Sequence, residues 1–231
     1  MASNKPNDCK ISHCTIDEAD DVVDFIKRHW KDDHIFVQSR ELLNWQHADG
    51  HRLNFIIARH KETRRILGVL GFIPTSQYDA SLKETFDTWG AIWKVTNDAP
   101  SGLGLALMQY FHEKLKPMSH GAISNTDIAL GLYKLTNQQT GDLSHYFILS
   151  AATDDYSIAK PPNRSETPAP LVAGASVLQE IVLSPDIALS HPYRPRKSLT
   201  YLINRYQRHP VYHYRFFGAY TDGTLIAILV V

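Results

Sequence analysis

With 231 residues, 43% of them hydrophobic, the chain can bury a real core as one large domain or as one domain with part of another. Its 24 Lys and Arg balance 24 Asp and Glu, so no net field draws it to nucleic acid or to an anionic membrane surface. No apolar run approaches a bilayer span, MASNKPNDCK lacks the apolar core of a signal peptide, and Cys9 and Cys14 are the whole thiol complement. The chain therefore reads as cytoplasmic and reduced, with no membrane insertion and no thiol metal cluster.

Taken in order, Lys10 to Ser12 reads as a first short strand, and Thr15 with Glu18 forms a capping box ahead of a helix whose apolar stripe is Val22, Val23, Phe25 and Ile26. A second helix, SRELLNWQH, starts near Ser39. NFIIARH and RILGVLGFI are two strands joined by a charged hairpin turn, KETR. PTSQYDASLKET reads as a polar loop and FDTWGAIWKV as the next strand. The turn NDAPSG then opens the helix LALMQYFHEKL. HGAISN is a short fifth strand. DIALGLYKLTN is an amphipathic helix with Ile128, Leu132 and Leu135 on one face, and LSHYFILS is a further strand. The fold class is α/β or α+β, a mixed central sheet flanked by helices.

The junction from Trp93 to Leu115 is an expected anion site. A helix start leaves backbone N–H groups unpaired at the positive end of the peptide dipole, and Gly102 and Gly104 let the chain approach a phosphate closely. The Gly-Lys-Ser/Thr end of a kinase-type phosphate loop is absent, and Leu107 stands where a dinucleotide fingerprint needs its third glycine. The arrangement resembles the acetyl-coenzyme A loop of the GNAT superfamily of N-acyltransferases, Gln/Arg-x-x-Gly-x-Gly/Ala. Here it reads Ala99-Pro100-Ser101-Gly102-Leu103-Gly104, without the leading Gln or Arg.

The resemblance implies that acetyl-CoA, or another acyl-CoA, is co-substrate and is bound by Ala99, Ser101, Gly102, Leu103, Gly104 and Leu105. It also implies that strand N–H groups near Lys94 and Val95 polarise the thioester carbonyl. A second family pattern, Ala-x-x-Leu-Tyr, falls at Ala129 to Tyr133, so Tyr133 takes the role of general acid for the departing thiolate. Asn137 stands for the family's glycine and Gln138 for its aromatic residue. Asn125 lies near the position of an asparagine that faces the pantetheine arm. Candidate bases for the amine are Asp87, Glu84 and His145, the last with a suitable intrinsic pKa. Metal is not expected. His47 and His51, and His209 and His213, have helical spacing, but Gly50 and Pro210 interrupt it.

The resemblance covers about residues 8–150, within a first unit at 1–150. The proline-rich stretch AKPPNRSETPAP marks a linker at 151–175, and 176–231 reads as a helix plus β-hairpin that repeats the opening of the first unit. LLNWQH and LINRYQ align with Asn44 on Asn204, and the following strands align with Ile57 on Phe217. The apolar end, TLIAILVV, is expected to be covered by the first unit, paired with a second copy as a homodimer, or left by truncation of a longer protein. More loosely, the chain resembles two-lobed GNAT-like proteins of bacterial surface-polysaccharide biosynthesis, which implies an amino-sugar acceptor. The leading reading is an acyl-CoA-dependent N-acyltransferase acting on a small-molecule amine. A non-catalytic module that binds acyl-CoA or a protein partner is the alternative, followed by an unrelated nucleotide-binding α/β domain.

Overall fold

The computed structural model describes residues 8–123, 126–143, 176–188 and 193–231. Strand β1 (Cys9–Thr15) ends at the expected capping box, where the Thr15 N–H donates to the Glu18 carboxylate at 3.0 Å. A short 3₁₀ turn leads into helix α1 (Ala19–His29), which buries Ala19, Val22, Phe25 and Ile26 on one stripe. Helix α2 (Ile35–Gln38) precedes α3 (Arg40–His47), whose N-cap Ser39 accepts the Leu42 N–H at 3.1 Å. Then come β2 (Ala48–Asp49), β3 (Arg52–His60), β4 (Ile66–Pro74), β5 (Asp87–Val95), α4 (Leu103–Leu115), β6 (Ser119–Gly121) and α5 (Asp127–Leu135).

The strands lie in the order β1-β3-β4-β5-β6, with β2 paired to β3. Neighbours are antiparallel except β5 and β6, which run parallel, so the sheet is mixed. Every residue of β4 is buried, as an unbroken apolar run requires of a strand covered on both faces. On one face, α1 to α3 pack Phe25 and Leu42 against Phe55, Ile57, Val69 and Ile92. On the other, Leu107 and Phe111 of α4 and Tyr133 of α5 pack against Ile56, Leu70 and Phe72.

Two segments differ from expectation. Helix α5 leaves Ile128 80% and Leu135 71% exposed, because its inward face runs through Ala129 and Tyr133, one turn apart. The stretch 75–85 is no open loop but two 3₁₀ turns, Thr75–Gln77 and Ala80–Thr85. Buried Tyr78 pins it, as does the Gln77 amide, which donates to the carbonyls of Trp45 and Ala48 at 3.0 and 2.9 Å. The expected strand at LSHYFILS, from Ser144 on, and the proline-rich stretch lie outside the described residues.

In the second unit, β7 (Ser176–Ile181) is followed by α6 (Leu199–Leu202), a wide π-turn (Ile203–Gln207), and the hairpin of β8 (Phe216–Thr221) and β9 (Thr224–Val230). Its sheet order, β7-β8-β9 and all antiparallel, is that of β1-β3-β4, so the repeated topology includes a strand the sequence reading did not find. The aligned asparagines have separate roles: Asn44 is exposed, whereas Asn204 donates to the Tyr78 carbonyl at 2.6 Å. A third core joins the units, with Ile73 and Tyr78 of the first packed on Leu183, Tyr201, Leu202 and Phe216 of the second. In β9, Ile228 and Val230 face that core while Ile226 and Leu229 are exposed, and the outer edge has no strand partner among the described residues.

Asp87 belongs to this junction and is not available as a base. It is fully buried and accepts the Ser119 hydroxyl at 2.6 Å, the Arg194 guanidinium at 2.8 Å and the Arg196 N–H at 2.9 Å. Burial alone would raise its pKa, but the Arg196 N–H, the Ser119 hydroxyl and Arg194 together hold it below the ordinary carboxylate value.

His47 is likewise structural: it is fully buried, with Nδ1 3.1 Å from the Phe72 carbonyl. Burial drives its pKa down to about 3. The unfolded chain therefore binds this proton more readily than the folded one, and stability falls as pH drops from about 6.5 toward 3. Replacing His47 by Gln is expected to flatten that slope, by at most about 1.4 kcal/mol per pH unit. Urea titrations at pH 7 and pH 5 measure it.

Candidate functional site

Strand β5 frames the site. Its pairing with β6 ends at Trp89 and Gly121, so from Gly90 onward one edge of β5 has no strand partner among the described residues. The Thr96 N–H donates to the Leu67 carbonyl at 2.9 Å, which fixes the alternation along the strand. Lys94 therefore turns its N–H toward β4, and Trp93 and Val95 turn theirs toward the open edge. Of the two residues expected to polarise a carbonyl, Val95 turns its N–H to that edge and Lys94 does not; Trp93 turns its N–H there as well. Just before them β5 carries a bulge. Leu70 lies opposite Trp93 and Phe72 opposite Gly90, so Ala91 and Ile92 share the single opposing residue Gly71.

The glycine loop follows directly. Ala99 donates to the Thr96 carbonyl and Leu103 to the Pro100 carbonyl, each at 3.1 Å, which closes the turn. Gly102 is the N-cap of α4 with φ 83°, a left-handed conformation that excludes most side chains. It supplies no side-chain cap, and a Cβ there would enter open space. Buried Leu103 anchors the helix start and Ser101 is exposed. The first turn has no acidic residue, and the N–H groups of Gly104 and Leu105 have no backbone acceptor among the described residues. A helix of 13 residues thus ends in open donors at the positive end of its dipole. Gly102 carries the steric requirement; a Cβ on Gly104 would meet Trp93 at 3.6 Å, an ordinary contact.

Trp93 connects the two motifs. Its indole N–H donates to the Gly104 carbonyl at 3.2 Å, and its ring lies 5.6 Å from the ring of Tyr133, centroid to centroid. Tyr133 is held by α5, whose N-cap Thr126 accepts the Ala129 N–H at 3.3 Å and whose end is turned by Asn137 at φ 58°. It is 9% exposed, and burial raises its pKa, so the phenol stays protonated through neutral pH. Its hydroxyl has no hydrogen-bond partner among the described residues. Asn125 and His145 lie outside the described residues, and Glu84 is exposed on a 3₁₀ turn.

A cavity of about 310 Å³ opens on the other side of the bulge. The first unit lines it with Phe36, Trp45, Tyr78 and the bulge residues Ala91 and Ile92, and the second unit with Arg205, Tyr206, His209, Tyr212 and Tyr214. The sequence reading missed this second-unit contribution. The signal was the dense run of aromatic and cationic residues from Tyr206 to Phe217, YQRHPVYHYRFF. His209 is spent locally, its Nδ1 accepting the N–H groups of Val211 and Tyr212 at 3.1 and 3.0 Å. Among the described residues no cluster of three or more His, Cys, Asp or Glu is placed to hold a metal.

No protein-family model and no curated protein sequence matches the chain. Among solved structures it is similar to an aminoglycoside antibiotic 6′-N-acetyltransferase from Acinetobacter baumannii, at 15% identity and a TM-score of 0.44, over 62% of this chain and 98% of that one. It is also similar to an aminoglycoside acetyltransferase from an uncultured soil metagenomic sample, solved in complex with sisomicin, at 16% identity and a TM-score of 0.42, over 62% and 98% of the two chains. A ribosomal-protein-alanine N-acetyltransferase from Brucella melitensis biovar Abortus 2308 aligns at 15% identity and a TM-score of 0.41, over 62% and 99%. At these identities and scores the likenesses say nothing of what this chain acts on.

The Gly102→Val variant is expected to bind acetyl-CoA at least about tenfold more weakly, since the branched side chain fills the space over the helix start. Its stability should fall by about 1–3 kcal/mol from the left-handed backbone. Titration calorimetry with thermal unfolding separates the two effects, and unchanged affinity would remove Gly102 from the site.

Proposed function

We propose that the protein is an acyl-CoA-dependent N-acyltransferase that moves an acetyl or similar acyl group from a CoA thioester to a small-molecule amine. The observation that carries this is the continuous path from Gly104 through Trp93 to Tyr133 beside the open edge of β5. A CoA thioester has an anionic pyrophosphate, an extended amide-bearing arm and a thioester. The residues present fit each part: open N–H groups at the start of α4, a strand edge without a strand partner among the described residues, and a protonated phenol in an apolar setting.

In this reading Val95 and Trp93 offer backbone N–H groups to the acyl-CoA at the open edge of β5. These donors are fixed by the strand before substrate arrives, so an oxyanion there gains stabilisation without reorganisation. The amine nitrogen attacks the thioester carbon, forming the C–N bond, and the C–S bond breaks. Tyr133 gives its proton to the departing thiolate, and the proton lost by the amine returns through solvent to the phenolate. We infer that the acceptor enters from the cavity on the far side of the bulge, and an amino sugar is the acceptor class implied by the two-lobed resemblance. A non-catalytic module that binds acyl-CoA or a protein partner is favoured by two features: Ala99 lacks the side chain that the family's loop places there, and Gln138 replaces the family's aromatic residue.

Turnover separates the two readings. A screen of amines with acetyl-CoA, followed by release of free thiol, should find a substrate. For that substrate Tyr133→Phe is expected to lower kcat by about 10²–10⁴ with KM for acetyl-CoA little changed. Equal kcat for the variant would remove Tyr133 from the chemistry, and binding of acetyl-CoA without turnover of any amine would favour the module.

A further inference from the structure

The cavity beyond the bulge has a feature that acyl transfer by itself does not require. Arg205 lies in it with its guanidinium over the rings of Tyr78, Tyr201 and Tyr206, at 5.3, 5.6 and 5.5 Å, and its Nη1 donates to the Tyr201 hydroxyl at 2.6 Å. Among the described residues no carboxylate pairs with it, and no Asp or Glu lines the cavity. Tyrosine faces soften the cost of holding a cation there, but they leave guanidinium donors unmatched.

The two cavity histidines add to this bias. A neutral imidazole has one donor and one acceptor nitrogen. His34 uses Nδ1 to accept the Phe36 N–H at 3.2 Å, and His209 uses Nδ1 to accept from Val211 and Tyr212. In each neutral ring the remaining nitrogen, Nε2, carries the proton and can only donate. Around the same space Arg205 depresses the pKa values of His209 and Lys197, in both cases after burial, so the local field is positive. A multiply cationic amine would be repelled here. An anion would find a planar fork of donors, one of them engaged by the Tyr201 hydroxyl and none by a carboxylate among the described residues.

We propose that this cavity is the acceptor pocket and that Arg205 makes it selective for amines that also carry a carboxylate or phosphate, bound by the guanidinium. The assignment of the cavity to an acceptor rests on the acyltransferase reading; the anion selectivity rests on the cavity itself. The position suits the reaction, because Ala91 and Ile92 line the cavity on the bulge next to the donors Trp93 and Val95. A fixed cation near the acceptor nitrogen also favours its neutral, nucleophilic form by like-charge repulsion, which lessens the need for a dedicated base. Aromatic walls from both units give the body of the acceptor an apolar seat.

Matched probes test this on the full chain. Tyramine and tyrosine differ by a carboxylate, and glucosamine and glucosamine 6-phosphate by a phosphate. Binding of each is measured by calorimetry without acyl-CoA, and thioester turnover is then measured with acetyl-CoA. The member of at least one pair that carries the carboxylate or phosphate is expected to bind about tenfold tighter than its partner without that group, and the pair that responds tells carboxylate from phosphate. Arg205→Gln should bring that pair within about twofold while leaving acetyl-CoA affinity unchanged. Arg205→Lys, which keeps the charge but loses the fork, should fall between and serves if the Gln variant does not fold. Anion preference that depends on Arg205 with no turnover of any amine would support the anion pocket and count against acyl transfer. No preference in either pair, or a preference that survives in both variants, would overturn the proposal even if neutral amines were acylated.

Discussion

The early end of the β5–β6 pairing is the constraint on which the rest depends. Three residues of β5 pair with β6, from Asp87 to Trp89, and the remainder of the strand has no partner on that side among the described residues. In a folded interior an unpaired strand edge is a cost, because each N–H and C=O that loses water needs another partner. Here the edge sits between the glycine loop and Tyr133, with Trp93 touching both. The features that the proposed acyl transfer would use lie along it: the N–H groups of Trp93 and Val95, the open start of α4, and the bulge whose residues line the cavity.

The second unit acts on the site through its contact with the first. Asp87, at the start of β5, is neutralised from the second unit by Arg194 and the Arg196 N–H, while Asp79 accepts the Ser198 hydroxyl. Trp45 meets His209 edge to face, with ring centroids 4.5 Å apart, and Asn204 donates to the carbonyl of Tyr78. These contacts place Arg205 and its neighbouring tyrosines against the bulge. The second unit, whose strand order β7-β8-β9 matches that of β1-β3-β4, thus forms one wall of the cavity.

Local signals in the sequence carried most of the first unit. The Thr15–Glu18 box, the helix start near Ser39, the KETR hairpin and the turn that opens a helix at Gly102 are each decided within a few residues, and the structure places each where the residues suggest. What failed depends on distant partners. Asp87 looks like a free acid until Arg194, 107 residues away, is brought beside it. The apolar stripe Ile128, Leu132 and Leu135 looks like the inner face of α5 until Trp93 selects Ala129 and Tyr133 instead. The choice of Val95 over Lys94 is set by strand register, which one chain segment does not encode alone. Arg205 was missed because its significance lies in a cavity shared by two units, where no carboxylate among the described residues pairs with it.

The most direct test of the central claim is thermal stability with acetyl-CoA and free CoA, set against ADP at equal concentration. A ligand that binds only the folded state stabilises it by about 2.7 kcal/mol at a hundredfold excess over its dissociation constant. An edge of β5 that receives the pantetheine arm predicts a larger rise in Tm with acetyl-CoA and CoA than with the nucleotide. Equal shifts for all three would reduce the site to a phosphate loop, and no shift at millimolar acetyl-CoA would contradict the account.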